Sequence, residues 1–277
     1  MMNITCIIAT RNPTDCRALI AQLCTYGHHV VVVHPASTAA PVGVVSITTP
    51  TLISPAAARN LGATTSNTDL LCFLDDDIIM RGDVPHMLSI VFAAPHIVAC
   101  GAVIYDHPSN DAWQRAFHRM AMAPQYATSA RRIPPILTSM ALMVRRTTFH
   151  TIGGFDETFT TPAGEDADLS LRLRHHGIIM TLPQARIYHL PHPAGWRGVT
   201  RRSWHYGTVW PCVRQRHPQF TARIPLPSFI ISIVVALVAP ALALYDTART
   251  RRSGYWVTRW WLRTWWYLGV AWGEWSC

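Results

Sequence analysis

The chain carries 15 acidic residues, and eight of them fall in two places. Asp75, Asp76 and Asp77 form one run; Asp156, Glu157, Glu165, Asp166 and Asp168 form the other. The first run follows Leu71-Cys72-Phe73-Leu74, a buried-strand pattern. In a parallel sheet that strand delivers three carboxylates to the C-terminal edge, where open α/β sheets bind ligands. Adjacent carboxylates repel one another, and a hard divalent cation, Mg²⁺ or Mn²⁺, relieves this while bridging a diphosphate. The second cluster offers Asp166 or Glu165 as a group able to take a proton from an attacking hydroxyl. The plainer reading is a polar loop and a helix start, whose dipole favours negative charge, and the two roles are compatible.

All 24 basic residues are Arg, and the chain has no Lys. That excludes the phosphate-binding loop that needs a Lys, Schiff-base chemistry, and Lys-assisted phosphoaspartate mechanisms. A phosphotransferase with Asp75 as nucleophile and Asp77 as acid is set aside on the same ground. The seven cysteines are odd in number and include no C-x-x-C pair, so neither a zinc site nor a disulfide framework is expected. A reducing compartment fits that usage. Met1 to Thr10 lacks the basic start of an export signal and runs into Arg11, which places the N-terminal part in the cytoplasm.

These carboxylates need a scaffold, and the first hundred residues supply its pattern. Ile4 to Ala9, His29 to Val33, Val42 to Ile47 and Leu70 to Leu74 read as strands. Asp15 to Tyr26, Pro55 to Thr65 and Met87 to Ala94 read as helices around them, which predicts a Rossmann-like α/β fold with a mostly parallel sheet. Tyr105 to Arg132 reads as helix and loop, Ile136 to Val144 as a strand, and Asp166 to His176 as an amphipathic helix ended by Gly177. A nucleotidyltransferase of similar fold wants a Gly-rich basic loop after the first strand, and Thr10-Arg11-Asn12-Pro13 is not one.

At these residues the chain resembles the inverting glycosyltransferases of family 2, with the GT-A fold. Ile7-Ile8-Ala9-Thr10-Arg11-Asn12 is similar to the family's first strand and its Thr-x-Asn turn, and Leu74-Asp75-Asp76-Asp77 to its D-x-D block. Ala58-Arg59-Asn60-Leu61-Gly62 is similar to the segment before the metal strand. Gly153-Gly154-Phe155-Asp156-Glu157, followed by Gly164-Glu165-Asp166-Ala167-Asp168, is the most specific match.

The resemblance implies a nucleotide-diphosphate sugar donor, contacted by Thr10, Asn12, Arg59, Asn60, Asp75 and Asp76. It implies a divalent cation on Asp77 and Asp75 with His189, and Asp166 as catalytic base with Glu165 beside it. The expected reaction is a hexosyl or deoxyhexosyl transfer by single displacement, with inversion. A non-catalytic sugar-nucleotide-binding relative is the alternative. In one place the chain departs from the pattern: relatives commonly end the second strand on an acidic residue near the base, and here it runs into His34-Pro35-Ala36-Ser37. Uridine or thymidine diphosphate sugars are the implied donors.

After the catalytic blocks the chain turns basic and aromatic, and its composition shifts abruptly near Arg223. Trp196 to Arg216 interleaves Arg197, Arg201, Arg202, Arg214 and Arg216 with Trp204, Tyr206 and Trp210. Ile224 to Tyr245 has no charged residue, about the length that spans a hydrocarbon core, although Pro240 interrupts it. Seven of the 11 Trp then fall between Trp256 and Trp275, with Trp261, Trp265, Leu268 and Trp272 on one helical face and Arg259 and Arg263 opposite. That pattern predicts C-terminal membrane-associated helices, with membrane lipids and a lipid-linked or cell-envelope glycan acceptor as partners, and no nucleic acid. The expected organisation is a catalytic domain over 1–195, a juxtamembrane segment over 196–223 and membrane-associated helices over 224–277. The protein is expected at the inner or plasma membrane, its catalytic domain facing the cytoplasm.

Overall fold

The computed structural model describes residues 2–39, 41–127, 132–191, 195–220, single positions between 230 and 245, and 256–273. Two compact units emerge, Met1–Tyr105 with Pro124–Leu190, and Asp106–Ala123 with Pro191–Cys277.

The first unit is built on eight strands: β1 (Ile4–Ala9), β2 (His29–Pro35), β3 (Val45–Thr49), β4 (Leu70–Leu74), β5 (Ile78–Arg81), β6 (Ile97–Asp106), β7 (Ala141–Arg145) and β8 (Ile178–His189). They form one sheet in the order β3-β2-β1-β4-β7-β6-β8-β5. The strands β3, β2, β1 and β4 run parallel, as the apolar runs predict. The other half departs from the expected mostly parallel sheet: β7 is antiparallel to β4, β6 to β7 and β5 to β8. The sheet is therefore mixed. The strands β6 and β8 carry little sequence signal, because Cys100-Gly101 interrupts one apolar run and Pro183-Gln184 the other.

Helices α1 (Arg17–Thr25), α2 (Pro55–Thr64), α3 (Val84–Ser89), α5 (Arg146–Thr151) and α6 (Glu165–Leu173) flank the sheet, α4 (Ala112–Ala121) lying in the second unit. Helix α2 starts where its capping chemistry says it must: the Ser54 side chain accepts from the Ala57 N–H and Pro55 takes the first helical position. It lies close on β1, since a Cβ at Gly62 would stand 2.6 Å from Ile7 Cγ2. Phe73, Phe149 and Phe155 pack mutually with ring centroids 5.1 to 5.7 Å apart in the core between β4 and the helices. Gly177 is not the cap of α6; the helix ends at Leu173, and a Cβ at Gly177 would lie 2.5 Å from the His96 carbonyl oxygen. It is a close-approach glycine where β8 begins beside the residue preceding β6.

The second unit contains α4, α7 (Gly195–Arg216) and α8 (Trp256–Gly273). Helices α7 and α8 run parallel, their contacts advancing in step from Trp196–Trp261 through Trp204–Trp265 to Gly207–Gly269. Small residues permit this: a Cβ at Gly207 would meet the Trp266 carbonyl oxygen at 2.1 Å, and one at Gly269 that of Trp204 at 2.3 Å. The Ser203 hydroxyl donates to the Leu262 carbonyl at 2.7 Å. Cys212 on α7 is disulfide-bonded, while Cys6, Cys16, Cys24, Cys72 and Cys100 are free thiols.

The expected membrane placement is corrected here. Among the described residues no helix is long and apolar enough to cross a membrane. The Trp face of α8, read from sequence as a lipid-facing stripe, meets α7 through half-buried Trp261 and Trp265, with Trp272 touching Trp204 while 64% exposed. An amphipathic stripe has the same period whether its partner is a bilayer or another helix. Most of 224–245, the segment expected to enter the membrane, lies outside the described residues.

Candidate active site

The chain runs outward from β1 through β2 to β3 and then crosses back to β4 on the other side of β1. The switch point between β1 and β4 brings two strand ends together. Thr10 follows β1, the three aspartates follow β4, and Thr10 Oγ1 donates to Asp76 Oδ2 at 2.5 Å. Burial pushes the Asp76 carboxyl up to about 6, against the pull of the Thr10 hydrogen bond, and Asp77 and Asp75 push it further. Asn12 shapes the turn beside it: its N–H donates to Thr10 Oγ1, and its amide donates to Asp15 and accepts from the Thr14 N–H.

Arg59 joins the two acidic clusters. It projects from α2, is buried, and donates from Nη2 to Asp75 Oδ1 at 2.8 Å and from Nη1 to Glu165 Oε1 at 3.1 Å. Its guanidinium lies 5.4 Å from the centre of the Phe155 ring. Burial disfavours that charge, yet Asp75 and Glu165 outweigh it and hold the guanidinium above its ordinary value. The sequence singled out Phe155 only as part of a block; its ring is what backs the arginine.

Glu165 and Asp166 open α6 after Gly164, which adopts φ 85°. Glu165 Oε2 is buried and has no hydrogen-bond partner among the described residues. Asp166 is half-buried, and burial pushes its carboxyl up to about 7. The Glu165 charge adds to that shift, while Arg59 and the Ala167 N–H pull the other way. The remaining acids of this cluster serve the scaffold. Asp168 accepts from Arg172 at 2.6 Å, and Arg172 in turn donates to the carbonyls of Ile152 and Gly154. Asp156 caps its own turn through Thr158.

Asp77 and His189, 112 positions apart in sequence, meet because β5 pairs with β8 in the register Ile78↔His189. His189 Nε2 lies 3.4 Å from Asp77 Oδ2, and the Leu190 N–H donates to the Asp77 carbonyl at 2.8 Å. The carboxylate suits Mn²⁺ or Mg²⁺, and an imidazole beside it favours the softer Mn²⁺ over Mg²⁺. No group of three His, Cys, Asp or Glu among the described residues is arranged to hold a metal. Two protein ligands leave most positions of such a cation to other oxygens.

Two side chains beside these clusters are held by the scaffold. The Asn60 side chain donates to the Phe155 carbonyl at 2.8 Å and to Glu157 at 2.9 Å, and accepts from the Phe155 N–H at 2.8 Å. Its amide is committed to the Gly153-to-Glu157 turn. His34, at the end of β2, is buried and bonded to Ser46 Oγ at 2.7 Å and Thr38 Oγ1 at 2.8 Å. It pins β2 to β3 where relatives commonly carry an acid.

Comparison with known proteins gives the family and the fold. The family described as Glycosyltransferase like family 2 matches residues 42–193. The pre-mycofactocin glycosyltransferase of Mycobacterium tuberculosis is 31% identical over 183 residues, which is 61% of this chain and 36% of the relative. The chain thus spans about a third of the length of the curated relatives it matches. Among solved structures, mannosyltransferase PcManGT from Pyrobaculum calidifontis, in complex with GDP-Man and Mn²⁺, has a TM-score of 0.65 at 16% identity. That likeness covers 99% of this chain and 88% of the other. GalNAc-T7 with UDP, GalNAc and Mn²⁺ has a TM-score of 0.54 at 12% identity, covering 79% and 55%. At these identities the likeness is one of fold, the mixed α/β sheet with flanking helices of the GT-A type.

Proposed function

The chain belongs to glycosyltransferase family 2, and on that premise we propose that it moves a sugar from a nucleoside diphosphate to an acceptor hydroxyl with inversion at the anomeric carbon. The observation that carries this reading is the Arg59 bridge, which draws Asp75 at the end of β4 and Glu165 at the start of α6 to one guanidinium, with Asp166 next in the chain.

Asp166 is the proposed base. A carboxyl that titrates near 7 takes a proton from an attacking hydroxyl more readily than an ordinary one, while still being ionised in a useful fraction at neutral pH. Arg59 carries a charge fixed by two carboxylates; in exchanging them for diphosphate oxygens its planar fork stabilises the leaving group. Thr10 holds Asp76 at the edge of the donor cleft. Asp77 and His189, with Asp75 adjacent, are the residues that would hold a divalent cation; when bound, the cation neutralises charge on the departing diphosphate. The expected lipid-linked acceptor rested on membrane attachment and is not carried forward.

The test is stereochemical. The purified chain is incubated with α-linked nucleoside diphosphate sugars, Mn²⁺ and a pool of hydroxyl acceptors, and the anomeric proton of the product is followed by NMR. A β-linked product is expected; an α-linked one excludes a single displacement from Asp166.

A further inference from the structure

The guanidinium that bridges the two acidic clusters has a third neighbour, to which the proposed transfer gives no part. Arg59 is 6% exposed, so its charge depends on the groups packed around it and little on water. Two of these are carboxylates, Asp75 at 2.8 Å and Glu165 at 3.1 Å, the contacts that diphosphate oxygens replace in the proposed transfer. The third is the Phe155 ring, whose centre lies 5.4 Å from the guanidinium carbon. The face of such a ring carries partial negative charge and attracts a desolvated cation more strongly than an exposed one. Unlike a carboxylate, a ring does not compete with phosphate for the N–H donors, so this contact persists while the others exchange.

The fold fixes the ring independently of the arginine. Gly153 and Gly154 adopt φ of 80° and 72°, a pair of left-handed positions that glycine takes without strain. The chain leaves that turn inward, and Phe155 is 2% exposed. Its ring stands edge-on to Phe73 of β4 at 5.1 Å and to Phe149 of α5 at 5.7 Å. Asn60 bonds the Phe155 backbone, whereas these two rings set the side chain. Strand β4, which also ends in Asp75, thus helps to place the ring and one of the carboxylates around the same cation.

We infer that Phe155 is a positioning residue of the transfer, its ring face holding the Arg59 guanidinium in place by a cation–π contact while diphosphate oxygens replace the two carboxylates. This role rests on the proposed transfer, in which Arg59 meets the donor diphosphate.

The experiment installs phenylalanine analogues with one, two and three ring fluorines at position 155 of the full chain. Fluorine withdraws charge from the ring face and changes ring size little, so the series weakens the cation–π contact and keeps the packing. Binding of UDP, dTDP and GDP with Mn²⁺ is measured by calorimetry, beside Tm and donor turnover. The Kd of the nucleoside diphosphate that binds should rise about twofold per fluorine, to about tenfold with three, at nearly constant Tm. A purely structural ring would give a flat series. Kd values within twofold of the wild type throughout overturn the inference, as does a loss of affinity that follows Tm and not the fluorine count. A chain that shows the predicted series but turns over no sugar donor sinks the transferase reading and supports the role of Phe155 at the diphosphate. A chain that binds none of the three diphosphates overturns both.

Discussion

Replacing Asp166 with Asn should sharply lower turnover and at the same time stabilise the fold, because the property proposed to make the group a base is costly in the folded chain. The Asp166 carboxyl is raised from 3.8 to about 7, mainly by burial and then by Glu165. Each unit corresponds to about 1.4 kcal/mol, so the ionised group disfavours the folded state by up to about 4 kcal/mol, an upper bound. The sign follows from proton uptake. Between about 4 and 7 the folded chain keeps a proton that the unfolded chain releases, so stability falls as pH rises; below about 4 there is no penalty, and above 7 it is complete. The amide of the Asp166→Asn variant retains an oxygen for the Ala167 N–H, which donates to Asp166 Oδ1 at 2.8 Å in the wild type. The expected outcome is a Tm gain of about 4–8 °C at pH 8.5 if roughly half of the bound is realised, and no gain at pH 4. Activity should fall about 10²- to 10⁴-fold, as expected on removing a general base. Scanning calorimetry across pH and a donor-turnover assay read the two effects. A variant that loses activity with no pH-dependent gain in Tm refutes the strained-base argument, and one that keeps activity refutes the base assignment.

Wild-type turnover should rise with pH through about 7 and level off above it, as Asp166 ionises; a profile flat from pH 5 to 8 contradicts this. Arg59→Ala leaves Asp75 and Glu165 facing each other without their shared cation and should cost about 3–5 kcal/mol in urea unfolding as well as donor affinity. Asn60→Ala strands the buried turn groups of Phe155 and should lower stability by about 1–3 kcal/mol, while the KM for donor in the folded fraction stays unchanged. Chelation should stop turnover and Mn²⁺ restore it, and His189→Ala should raise the metal concentration for half-activity; unchanged metal dependence would remove His189 from the set.

Much of the parallel half of the sheet could be read directly, because parallel strands buried on both faces leave continuous apolar runs. Leu70–Leu74 and Ile4–Ala9 match to the residue, and Pro55 at a helix start is unambiguous. The antiparallel half could not, since β6 and β8 are interrupted by glycine and proline and owe their position to neighbours far away in sequence. Both acidic clusters were legible as composition, but their division of labour was not: nothing local separates Asp166 beside the Arg59 bridge from Asp168, which is tied to Arg172. Nor does anything local show that the Asn60 amide, singled out by its motif position, bonds the turn at Phe155 and Glu157. The membrane expectation for the Trp-rich helix overreached because periodicity reports that a face is apolar, not what it meets, and Trp265 meets Trp204 of α7.

The most direct test is release of nucleoside diphosphate from a panel of nucleotide sugars by the purified chain at pH 8 with Mn²⁺, wild type beside Asp166→Asn. Release by the wild type from at least one donor, lost in the variant while the variant still binds that donor, is the predicted result. No release from any donor, or equal release by both proteins, contradicts the assignment of sugar transfer to this site.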